Sequence, residues 1–162
     1  MDYIFSFLEN VPSELATMFL AAVPITEIRA SIPIAFNMYQ MPIISAVFWS
    51  VAGNMIMALI LIVLIDPISK FLGRNFNFFD KLFKWFFERT RKRFYNKYSK
   101  YGDLGLILFV AVPLPTTGCW SGAVAAWLFG IEPRKSFMLI FIGILISAFI
   151  VSLITIGAGQ IV

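Results

Sequence analysis

Histidine is missing from the chain altogether, and cysteine occurs once, at Cys119. The first absence removes the side chain most often used as general base or metal ligand. The second excludes an internal disulfide and any thiolate metal cluster. Charge is scarce too: 14% of residues are Asp, Glu, Lys or Arg, against about 25% in soluble domains. No pair of carboxylates falls inside an apolar segment. Neither an enzyme nor a bound metal or other cofactor is expected from such a set. Met1–Leu8 carries Asp2 but no lysine or arginine, so it lacks the basic start of a cleaved signal peptide.

Apolar residues fill the space left by these absences. They make up 60% of the 162 residues, with a mean hydropathy of +0.86. Two uncharged runs, Pro42–Ile65 and Ser136–Val162, exceed the roughly 20 residues that span a bilayer. An all-α, multi-pass integral protein of the plasma membrane follows, with one domain over 1–162. Basic residues are unevenly spread: of 13, ten lie from Lys70 to Lys100, two are Arg134 and Lys135, and one is Arg29. Such residues collect on the cytoplasmic side of short membrane loops, which makes 66–102 a cytoplasmic linker. From Phe79 its apolar positions follow helical spacing, with Asp80, Lys84, Glu88 and Lys92 four apart on the other face. An amphipathic helix lying on the membrane is expected. Arg91, Lys92 and Arg93 would meet anionic headgroups, so membrane lipids rather than nucleic acid are the expected partner. A second copy of the chain is left open as another.

Residues 1–15 read as an interfacial helix, and 15–23 as a short apolar arm. At about 1.5 Å per residue that arm reaches only half a hydrocarbon core before Pro24. Pro24 and Pro33 bracket a break, and a second arm runs to Met41. Pro42 opens the first full span, in which Ala46, Ser50 and Ala58 form a small-residue face. After the linker the order returns. Residues 103–130 are a second uncharged-cored segment interrupted by Pro113, Pro115, Gly118 and Gly122, and 136–160 the second span. Ala22-Val23-Pro24 matches Ala111-Val112-Pro113, and Thr26-Glu27 falls on Thr116-Thr117. Two repeats result, about 15–65 and 103–160, joined by the linker 66–102. If both broken segments are re-entrant hairpins, all twelve basic residues outside Arg29 lie in the cytoplasm and both termini outside. Four full crossings would instead strand Arg134 and Lys135 on the far side. The hairpin arrangement, which makes the repeats inverted, is the expectation.

Broken backbone deep in a membrane survives only when protein buries it or it lines a cavity. The breaks are therefore the candidate site. Glu27 and Arg29 are the only charged residues between Leu15 and Ile65, where each costs at least about 2.5–3.5 kcal/mol to insert. Glu27 is expected to exchange a proton and Arg29 to hold an anionic group by its planar fork, unless the two merely pin the hairpin. Thr26, Thr116, Thr117 and Asn54 complete the candidate substrate- or ion-binding set. Asn54 suits an interhelical hydrogen bond equally, and the threonines suit capping of freed backbone. Cys119 reads as packing, and Trp120 and Trp127 as hairpin anchors. A transporter of a lipid or amphiphilic small molecule fits these features. A non-transporting membrane assembly partner is the alternative.

Pro24-Ile-Thr-Glu-Ile-Arg-Ala-Ser-Ile-Pro33 and Pro113-Leu-Pro-Thr-Thr-Gly-Cys-Trp-Ser-Gly122 resemble the paired signatures of the small multi-drug export protein family. That family is similar to the DedA superfamily of membrane proteins, and the resemblance runs from about Leu15 to Gly159. It implies two inverted repeats, each a re-entrant hairpin plus one transmembrane helix, with the tips meeting at mid-membrane. It also implies small-molecule export or, as in DedA relatives, proton-coupled lipid translocation. Where those relatives carry arginines in the second hairpin, this chain has Thr116, Thr117 and Trp120.

Overall fold

The computed structural model describes residues 11–75, 102–113 and 117–159. These form six helices and no strand among the described residues. Four are short: α1 (Ser13–Ala22), α2 (Glu27–Asn37), α4 (Gly102–Ala111) and α5 (Cys119–Leu128). Two are long: α3 (Ile43–Asn75) and α6 (Pro133–Gly159). The order short, break, short, long occurs twice.

Proline chemistry sets most of the boundaries. Val23 is extended (φ −76°, ψ 134°), as the residue before a proline is driven to be, and α1 ends there. Pro133 opens α6, where the lack of an N–H costs nothing. Two prolines lie inside helices, and for Pro33 this departs from the expected break. Pro33 lies inside α2 instead of ending it, because Ile28, Ser31, Ile32 and Ala35 hold the buried face of that helix on both sides of the proline. Pro67 lies inside α3, which continues past Ile65 to Asn75, so the first ten residues assigned to the linker, 66–75, belong to that helix. Gly122, expected at a hairpin break, sits within α5. A Cβ there would come 2.6 Å from Val110 Cγ2, so its role is close packing of α4 on α5. The interfacial helix falls mostly on residues 1–10, and the amphipathic linker with Arg91, Lys92 and Arg93 on 76–101. Both lie outside the described residues, as do Pro115 and Thr116.

Segments Ile43–Phe71 and Pro133–Gly157 are long and apolar enough to cross a membrane, with mean hydropathies of 2.4 and 2.9. A core helix of a soluble protein would be mostly covered, yet only 28% and 39% of their most apolar stretches are buried. Phe48, Ile56, Phe141, Phe149 and Leu153 stand outward instead, an apolar surface suited to lipid. The inward faces carry the small residues: Ala46, Ser50 and Ala58 are wholly buried, and Gly143 admits Val110 of α4 at 2.7 Å from where its Cβ would be.

Neighbouring residues fix how the helices run. Asn54 shares a cavity with Ile144 and Ser147, whereas Asp66 shares one with Pro133 and Ser136. Ascending α3 therefore means descending α6, and the two are antiparallel. The short pairs attach at opposite ends of this frame. Thr17, early in α1, donates to Met41 Sδ (3.5 Å), just before α3 begins. Ala16 and Leu20 pack against Ile34 and Tyr39, so α1 and α2 start and finish at the same end. At the other end, Asp103 at the start of α4 pairs with Lys135 at the start of α6 (2.8 Å). Between the two ends, the breaks meet.

Candidate functional site at the meeting of the two breaks

Proline at position 24 frees the last carbonyls of α1, and each finds a donor. Asn54, 1% exposed on α3, donates from Nδ2 to Ala21 O (3.0 Å) and more weakly to Ser50 O (3.4 Å). Trp120 of α5 donates from Nε1 to Ala22 O (3.0 Å). Thr26 bonds Leu20 O and, at 3.4 Å, Val23 O, so its hydroxyl turns back onto its own arm rather than into the site. Buried carbonyls without donors would cost about 1–3 kcal/mol each, which is why polar side chains occur here in apolar helices.

Glu27 begins α2 with φ +43°, a region that residues other than glycine rarely enter. That turn carries its side chain across to the second break, where it is 7% exposed. The carboxylate lies over the start of α5. Backbone N–H groups of Cys119 and Trp120 donate to it, and Cys119 Sγ approaches Oε1 at 3.7 Å. The first N–H groups of a helix have no partner inside it, and the helix dipole favours negative charge there. Glu27 thus caps a helix 92 residues away in sequence. Gly118 makes the approach possible, since a Cβ at that position would stand 1.7 Å from Glu27 Oε2.

Arg29 forms the second bridge between the breaks. Its Nη2 donates to Thr117 Oγ1 (3.0 Å), whose own hydroxyl donates to Val112 O (2.7 Å). No ion pair within 4.0 Å joins Arg29 to Glu27 among the described residues, and Arg29 Nε is buried without an acceptor there. Beside these groups, Glu27, Asn54, Ile144 and Ser147 bound a cavity of about 10 Å³, no more than one water could use. The contact between the breaks is closed.

The structure brings Glu27, Arg29, Thr117, Gly118 and Asn54 together around this contact, with Pro24 and Pro113 at the breaks that create it. Pro33, Gly122 and Thr26 serve elsewhere, as described. Ser31 donates to Ser50 (2.8 Å) between α2 and α3, so Ser50 is a hydrogen-bonding partner as well as part of the small-residue face. Their signal was two hydroxyls within otherwise apolar segments. Trp120 ties the two breaks together instead of anchoring one.

A family model described as Putative small multi-drug export protein matches residues 27–150, beginning at Glu27 itself and ending within α6. No curated protein and no solved structure matched the chain. The paired breaks, the two long apolar helices and a match over most of the sequence lead to one assignment: the chain belongs to the Putative small multi-drug export protein family.

Proposed function

We propose that the chain carries an amphiphilic small molecule across the membrane through the contact between its two breaks, with Glu27 as the proton-carrying group. The observation that carries this reading is the Glu27 carboxylate itself, buried, at positive φ, and holding the two halves together from the N-terminus of α5. A charged carboxylate is attracted to those N–H groups, and a protonated one much less so. Protonation therefore loosens the closed contact, and deprotonation restores it. Arg29 and Thr117 keep the breaks in register while this happens.

In the membrane, the two short-helix pairs act as re-entrant hairpins entering from opposite faces, which makes the repeats inverted. The antiparallel α3–α6 frame and the pairing of Asp103 with Lys135 support this. The cytoplasmic face is the one bearing the basic linker 66–102, Arg134 and Lys135. One observation favours a second reading, a DedA-like translocase of a lipid. Buried Arg29 Nε has a donor to offer a headgroup phosphate.

Purified protein in sealed vesicles under a pH gradient tests the proposal. Glu27→Gln keeps the size and a hydrogen-bonding amide but cannot release a proton. It should insert and fold, yet abolish gradient-driven uptake of a fluorescent amphiphile. Uptake at the unsubstituted rate would show that Glu27 is not the proton carrier.

A further inference from the structure

A second cavity, of about 440 Å³, lies away from the contact, at the end of the frame where α3 and α6 come together with the end of α5. That volume is within the range of small-molecule sites, roughly 300–1,000 Å³. Its floor is made by the way α5 stops. Ile131 N–H returns to Ala126 O (3.0 Å) and Gly130 N–H to Trp127 O (3.0 Å), a cap that needs the left-handed φ of +67° at Gly130. This leaves Ile62, Ala126, Trp127 and Ile131 as an apolar lining.

The polar side chains that reach the cavity with charge are both acidic. Asp66 comes from α3 and Glu132 from the turn before α6, and among the described residues no basic one lines it. Lys70 pairs with Asp66 at 2.6 Å, and that pair is solvent-exposed. Lys135 is engaged with Asp103, and Arg134 is exposed in the first turn of α6. Glu132 is exposed and has no ion pair among the described residues. The Trp127 side chain hydrogen-bonds the Asp66 carboxylate, which holds the indole at the cavity wall. The cavity also faces the carbonyl end of α5, the end whose dipole favours positive charge. The same helix holds a carboxylate at its other end.

We propose that this cavity binds a hydrophobic organic cation, its apolar body against Trp127, Ile62 and Ile131 and its charged centre between Asp66 and Glu132. An indole face adds attraction for such a cation. An anion would meet two carboxylates, and a bare metal ion would find only two ligating groups and an apolar floor. Naming this ligand a transport substrate rests on the reading above, but its binding does not.

Equilibrium binding of tetraphenylphosphonium to the purified full chain in detergent, without any gradient, tests the cavity, with tetraphenylborate as the anion of matching shape. The cation should bind saturably and the anion should not. Neutralising one exposed carboxylate should weaken binding about 3-fold, and Asp66→Asn with Glu132→Gln together about 10-fold. Should the double variant not fold, Glu132→Gln alone decides, since that side chain is exposed and free of ion pairs among the described residues. Equal saturable binding of both ions, or cation affinity unmoved by these substitutions, overturns the proposal. The two readings fail separately. Cation binding together with normal uptake by Glu27→Gln would retain the cavity and reject the proton carrier. Glu27-dependent uptake without cation binding would do the reverse.

Discussion

Gly118→Ala tests the contact between the breaks most directly. The added Cβ would lie 1.7 Å from Oε2, 2.5 Å from Cδ and 2.7 Å from Oε1 of Glu27. The backbone at Gly118 is extended (φ 161°, ψ −156°), a conformation open to alanine, so the whole penalty comes from the carboxylate. Relieving the clash means moving the carboxylate off the N–H groups of Cys119 and Trp120. Overpacking costs about 1–3 kcal/mol. Losing hydrogen bonds to a charged group adds about 1.5–3 kcal/mol. Together, a loss of about 2.5–6 kcal/mol corresponds to a midpoint lower by about 5–24 °C for a chain of this size. Thermal unfolding in detergent, followed by tryptophan fluorescence, reads it. The same substitution in a Glu27→Ala background meets no carboxylate and should cost under about 1 kcal/mol, giving a coupling of at least about 1.5 kcal/mol. An equal cost in both backgrounds would refute the idea that Glu27 closes the contact.

Two further expectations concern the frame. Gly53→Ala would bring a Cβ to 2.1 Å from the backbone oxygen of Met18 and should push α1 off α3, lowering the unfolding midpoint, whereas Gly157→Ala meets nothing within 4 Å and should be neutral or raise it slightly. Cysteines placed singly at Asn37, Ser99 and Lys135 in a Cys119→Ala protein should react with an impermeant reagent from outside only at position 37, and reaction at 135 would favour four full crossings.

Much of this architecture could be read from the residues because proline acts locally. A missing N–H and a fixed φ mark the breaks at Pro24 and Pro113 whatever surrounds them. The long spans were equally legible, since length and apolarity are sufficient in a bilayer. Pro33 was misjudged by the same local rule. It sits in a helix held on both sides of the ring by buried Ile28, Ser31, Ile32 and Ala35, packing that no short window displays. Glu27 stood out as a charge in an apolar stretch, but its partner did not. Nothing local to Gly118 says that the carboxylate of Glu27, far away in sequence, fills the space beside it. The cavity at Asp66 and Glu132 was missed for a related reason. Each acid flanks one long apolar run, and only an antiparallel arrangement of those runs brings the two together.

The cap that Glu27 places on α5 also orders events during synthesis. Its partner backbone is made 92 residues later, which at about 5–20 residues per second is a wait of roughly 5–18 s. Throughout that interval the first break has a carboxylate with no helix end to receive it. That carboxylate has reason to stay near water until the second break is made. The contact can form only once Cys119 and Trp120 have been synthesised, whereas the long apolar helix Ile43–Asn75 is complete well before then. A ribosome stalled between the two breaks would therefore leave Glu27 without the helix end it caps.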